Sequence, residues 1–222
     1  MENFPRYLKK MIVYLIGLFI MALGVSVSKA SELGVSPVNS IPSVLSDILE
    51  IDMGICTTAV FIGFIIVQLI ILRKDFKPIF LLQILCSAVF GIFVSLSNKL
   101  AGAVLPPCGN YAARLLYIFI SMVLVALGIM LYIQADILSL PGEGVMQALS
   151  VKTGISLPTA KIIFDWSVVI IAAALSLICL KTLSGVREGT VIAAFGVGLC
   201  LKLLNRLFLK PLRRFLEIPD NE

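Results

Sequence analysis

The sequence predicts an all-α membrane protein: six transmembrane helices in two inverted three-helix repeats, each repeat with one short interfacial or re-entrant helix besides its spans. Three observations carry that prediction. The chain is 59% hydrophobic and 14% charged, with mean hydropathy +1.07, whereas a soluble domain carries about a quarter charged residues. The chain also repeats itself. Ala22-Leu23-Gly24, Pro37 and Leu45-Ser46 return as Ala126-Leu127-Gly128, Pro141 and Leu149-Ser150, each 104 positions later, and the same offset lays Glu32 on Asp136. With other offsets, Gly54-Ile55 is answered by Gly154-Ile155 and Phe90-Gly91 by Phe195-Gly196. Third, the basic residues crowd at alternate ends of the expected spans, which sets how the two halves lie in the bilayer.

The first span is expected over 11–28. It has the look of a cleavable signal peptide, but its repeat partner is internal, so it is read as a retained helix. The others are 53–72, 78–98, 115–133, 158–180 and 189–204, each near the 17–25 residues or so that cross a hydrocarbon core. Between the first two spans of each half lie 32–52 and 136–154. Each holds a proline followed by about three helical turns, too short to cross. Ser36-Pro37 reads as an N-cap with proline at the first helical position, and Pro141 repeats that start. Each short helix is expected between the first and second spans of its own repeat. It either lies at the interface or dips in as a re-entrant segment. Residues 205–216 alternate basic and apolar side chains around Pro211, as a basic amphipathic segment on a membrane surface does.

Six spans with an internal N-terminus leave Lys29, Lys99, Arg114, Lys181 and Arg187 outside and put the rest of the 18 basic residues inside. Three spans per repeat is odd, so the second repeat enters the membrane upside down. Residues 1–222 form one membrane domain, with repeat one at 11–98 and repeat two at 115–205. Both termini, including Glu222, are expected on the cytoplasmic side.

There is no histidine, which removes the commonest metal ligand and the easiest proton relay near neutral pH. The five cysteines lack CxxC spacing. Cys86 and Cys200 read as buried apolar side chains, and a Cys56–Cys108 disulfide is left open. No metal or cofactor is expected. No HExxH, GxSxG or Walker pattern occurs, and an enzyme is not expected. The positive charge is an orientation signal, and no nucleic-acid partner is needed to explain it. Small residues four apart, Ser87-Gly91-Ser95 and Ala194-Gly198, let helices approach closely in lipid and allow oligomerisation.

Leu140-Pro141-Gly142-Glu143-Gly144, Lys152-Thr153-Gly154, Phe164-Asp165 and 185–190 (GVREGT) resemble the YczE/YitT-like group of bacterial integral membrane proteins. Leu33-Gly34-Val35-Ser36-Pro37 echoes the pattern in the first half, without counterparts to Glu143 or Asp165. The resemblance implies a multi-pass protein of the bacterial cytoplasmic membrane. It assigns no activity.

The residues that can carry chemistry are few. Asp165 falls about two turns into the fifth span, where an ionisable group needs a partner or a wet cavity. Lys161 shares its helical face, and Lys202 is expected at similar depth on the sixth span. The set is a structural salt bridge or an ion-coupling or substrate site. Glu143 lies in the first turn of the second short helix, where the helix dipole favours a carboxylate. It caps that helix or reaches a central cavity near Asp165. Glu32 and Asp136 cap the first and fourth spans. Arg187 and Glu188 form an interfacial anchor or a gate pair. Inverted repeats with short proline-started helices suggest a permease for a small molecule or ion. The alternative is a non-transporting subunit that captures substrate or scaffolds a larger complex.

Overall fold

The computed structural model describes residues 4–217; the terminus at Glu222 lies outside the described residues. Eight helices follow one another: α1 (Phe4–Ala30), α2 (Pro37–Leu49), α3 (Met53–Leu72), α4 (Gln83–Val104), α5 (Tyr111–Ala135), α6 (Pro141–Thr153), α7 (Leu157–Leu180) and α8 (Glu188–Phe215). Six of them are long and apolar enough to cross a membrane, all except α2 and α6. The third span begins at Pro78, as expected, with a 3₁₀ turn, Pro78–Leu82, that leads into α4. The expected amphipathic segment 205–216 is not separate. It continues α8 through Pro211, and its end meets the end of α5 and the start of α1, with Arg213 Nε donating to Gln134 at 3.1 Å and Lys9 paired with Glu217 at 2.7 Å.

The central contact is α1 against α5, which cross with opposite chain directions. A Cβ on Gly17 would stand 2.9 Å from the Gly128 carbonyl, and one on Gly24 would stand 3.0 Å from the Ser121 carbonyl. In the offset of 104, Gly24 corresponds to Gly128 and Gly17 to Ser121, so each half offers its equivalent residues to the other. Only hydrogen side chains permit that approach.

Both short helices start as the sequence predicts, on Pro37 and Pro141. They also end alike. Ser46 Oγ donates to the Ile51 carbonyl at 2.8 Å, and Ser150 Oγ donates to Ile155 at 2.7 Å. Glu50 and Gly154 then reverse the chain at φ 55° and 74°. These pairs hold the offset of 104, so Gly154 corresponds to Glu50 and not to Gly54. The similar dipeptides Gly54-Ile55 and Gly154-Ile155 are out of structural register.

The packing of α2 and α6 corrects one expectation. Each contacts α3 and α7, so each sits against its own second span and that of the other half. Their first turns meet, a Cβ on Gly142 being 3.1 Å from Val38 Cγ1. The last turn of α2 lies near Lys29, at the end where α1 finishes, and Lys152 of α6 reaches Asp75 at the opposite end. Both helices are extensively buried. Neither lies on the outside of the bundle.

One interface has no counterpart. α3 packs closely on α4, where Gly54 and Gly91 bring backbone to backbone and Phe61 stacks on Phe90 at 5.6 Å between ring centroids. α7 and α8 share no comparable interface. At the offset of 104 Phe61 corresponds in sequence to Asp165, and Phe195, which answers to Phe90, is 68% exposed. All five cysteines are free, Cys56 and Cys108 included.

Candidate functional site

The space left open beside α7 and α8 is a cavity of about 800 Å³. The first turns of both short helices reach it, through Ser36 to Asn39 on α2 and Leu140 to Glu143 on α6. Proline begins each turn and lacks an amide hydrogen, and serine or leucine in extended conformation leads the chain in. Val125, Ile129 and Tyr132 of α5 form one wall, and Ala194, Val197 and Gly198 of α8 face them. Phe80 and Gln83, before and at the start of α4, close the side nearest Asp75.

The cavity collects Glu143, Asp165 and Lys161, three of the four residues the sequence offers as binding candidates, together with Asp136 at the end of α5. Lys161 Nζ bonds Asp165 Oδ2 at 2.6 Å, one turn apart on α7. The carboxylate is largely buried, with 11% of its side chain exposed, while the lysine is half-open. Asp165 Oδ1 has no hydrogen-bond partner. A buried carboxylate with one bare oxygen retains unsatisfied capacity, which a water or a ligand donor can meet.

Glu143 accepts a hydrogen bond from the Tyr132 hydroxyl. Enclosure by protein pushes its carboxyl above the usual carboxylate range, and the Tyr132 hydroxyl, the Lys161 charge and the Leu140 backbone pull it part of the way back. Its positional equivalent on α2, Asn39, is fully buried and lines the same cavity. Asn39 Nδ2 donates to Ser36 Oγ at 2.9 Å, while Oδ1 has no partner.

Lys202 does not join this group. It is exposed, and no ion pair links it to Asp165 among the described residues. It lies outside the cavity lining, on a helix that makes no close interface with α7. The gate and cap candidates separate as well. Glu32 pairs with Arg114 at 2.7 Å, and Arg187 donates to the Glu32 carbonyl at 3.2 Å and lies 3.7 Å from Glu188. These four residues stand at the end of the bundle opposite Asp136, outside the cavity lining.

That opposite end is closed by backbone. Val35 N donates to the Gly185 carbonyl at 3.2 Å, and Gly189 N donates to Leu33 O at 2.9 Å. Gly34, at φ 100°, passes so close to Thr190 and Arg187 that no side chain fits. No equivalent backbone bonds join 137–139 to the turn before α4 among the described residues.

Tyr132, Gln83 and Phe61 belong to the site and were not singled out by the sequence. The signal for the first two was a polar group within an otherwise apolar span. Phe61 carried no signal until its equivalence to Asp165 was seen.

A sequence profile of a family of unknown function, DUF6198, matches residues 8–206. The chain belongs to that family. No curated protein and no solved structure is significantly similar to it. Membership agrees with a multi-span membrane protein over nearly the whole chain and names no activity, so what the site does must come from its geometry.

Proposed function

We propose that the chain is a permease for a small molecule or ion, of the YczE/YitT-like kind and resident in the bacterial cytoplasmic membrane. Its binding site is the cavity where two re-entrant hairpins of an inverted repeat meet. The observation that carries this reading is the convergence of both short-helix first turns on one cavity that also holds Glu143, Asp165 and Lys161. Broken or short helices from two opposed repeats usually build transporter sites in this way. The reciprocal α1–α5 crossing supports an inverted relation, since equivalent residues contact one another with the chains antiparallel. With the N-terminus cytoplasmic, the backbone closure at Gly34 and Gly185 is external, and the cavity faces inward.

A second reading has an observation of its own. The α3–α4 contact depends on Gly54 and Gly91, and at the offset of 104 the residue corresponding to Gly54 is Pro158. α7 and α8 therefore cannot close as α3 and α4 do. A cleft that stays open suits a subunit that captures a ligand without carrying it across.

Purified protein in liposomes, screened against small organic solutes and ions, separates the two. Solute flux that is lost in Asp165→Asn, with folding retained, supports the permease. Ligand-dependent thermal stabilisation without flux supports capture. Flux unaltered by Asp165→Asn would remove the cavity from the account.

A further inference from the structure

We infer that the cavity binds a small organic cation, an ammonium head carried on an apolar body, with Asp165 Oδ1 as the principal acceptor. This deepens the proposed permease site and rests on it.

Asp136, Glu143 and Asp165 face the cavity, against Lys161 as the sole cationic side chain of the lining among the described residues. The chain as a whole carries net charge +5, so the sign inside the cavity runs against that of the molecule. The second observation is independent of charge. Asn39 and Gln83 line the cavity, are 0% and 1% exposed, and each has a side-chain oxygen without a hydrogen-bond partner. With Asp165 Oδ1 that makes three bare acceptors contributed by α2, α4 and α7. Buried acceptors left empty are destabilising. A ligand head with N–H donors meets such acceptors, and an ammonium has three donors and accepts none.

The short helices do not reverse this preference. Converging helix N-termini normally favour anions, but here part of that donor capacity is missing or spent. Pro37 and Pro141 have no amide hydrogen. Asn39 N donates to Ser36 O at 2.9 Å and Gly144 N to Leu140 O at 3.1 Å. Glu143 already supplies a carboxyl to the first turn of α6. The rest of the wall is apolar, with Phe61, Ile129, Met146 and Val197 among it. Such a wall accepts an alkyl or aryl body, and the aromatic faces of Phe61 and Tyr132 suit a cation. A bare metal ion would find too few carboxylates and no way to fill the remaining volume.

Lys161 gives the proposal a sign that can be measured. For a cationic ligand it is a competitor for Asp165, and for an anionic ligand it is the natural partner. Hexylammonium, hexanoate and hexanol share one chain length and differ in head group. Binding of each is measured by calorimetry to the whole protein in nanodiscs of zwitterionic lipid, with empty discs subtracted. Hexylammonium should bind at least about tenfold more tightly than hexanoate, and Asp165→Asn should lose about tenfold or more, as expected for a charge-assisted hydrogen bond. Lys161→Gln, which removes the competing cation from a half-exposed side chain, should tighten hexylammonium. Preference for hexanoate, weaker hexylammonium binding in Lys161→Gln, or no saturable binding of any of the three overturns the proposal. Saturable hexylammonium binding without liposome flux removes the permease and leaves the ligand class standing. Flux of another solute that hexylammonium does not inhibit removes the ligand class and leaves the permease.

Discussion

Replacing Gly91 by alanine should destabilise the protein, although alanine is the better helix former. A Cβ on Gly91 would stand 2.5 Å from the Gly54 carbonyl oxygen and closer still to Thr58 Oγ1. Neither neighbour is the far end of a flexible side chain: one is backbone, and the other bonds the Gly54 carbonyl at 3.0 Å. The helices α3 and α4 must move apart, and Phe61 and Phe90 lose part of their stack. Overpacking of this kind costs about 1–3 kcal/mol. Gly63, on the same helix α3, has nothing within 4 Å of its would-be Cβ. Gly63→Ala should therefore keep only the helix-propensity gain, about 1 kcal/mol. Reversible unfolding of both variants by denaturing detergent in mixed micelles compares them directly. Gly91→Ala should unfold at lower denaturant than wild type and Gly63→Ala at equal or higher. Equal stability of the two would refute the close-packed α3–α4 interface, and with it the asymmetry that leaves the cavity open.

Three further outcomes follow from the same structure. Burial holds the Glu143 carboxyl above its ordinary value of 4.5, so the folded state keeps this proton where the unfolded chain releases it. Stability contributed by Glu143 is then full below pH 4.5 and falls as pH rises through the raised folded value; Glu143→Gln should flatten that part of a pH–stability curve. Glu50 reverses the chain at φ 55° where its equivalent, Gly154, is glycine, so Glu50→Gly should stabilise by about 1 kcal/mol in the same unfolding assay. Impermeant thiol labels on single cysteines at Asp75 and Gly109 should report the cytoplasmic and external sides respectively, and an external Asp75 would contradict the proposed orientation.

The spans were legible because composition and length announce them. So were the short helices, since Ser36-Pro37 and Pro141 fix a starting point that no neighbour has to supply. The offset of 104 already paired Ser46 with Ser150, whose hydroxyls make equivalent bonds. What escaped the sequence was direction. In a span that is apolar all round, the face turned to lipid and the face turned to protein look alike, so nothing marked α8 as standing clear of α7. Lys202 was misplaced for that reason. The match of Gly54-Ile55 with Gly154-Ile155 was local similarity, and only the chain reversals at Glu50 and Gly154 reveal the register. At Phe61 and Asp165 the offset of 104 sets an aromatic ring against a carboxylate, and only the structure shows that both line one cavity.

The central claim is that solute passes through this cavity, and blocking it tests the claim most directly. In a background with the five native cysteines replaced, Gly198→Cys places a thiol in the cavity wall, where a Cβ has nothing within 4 Å. Gly63→Cys places one in equally open space outside the lining. After labelling with a bulky maleimide, liposome flux of the transported solute should stop in Gly198→Cys and persist in Gly63→Cys. Undiminished flux through fully labelled Gly198→Cys would contradict the account.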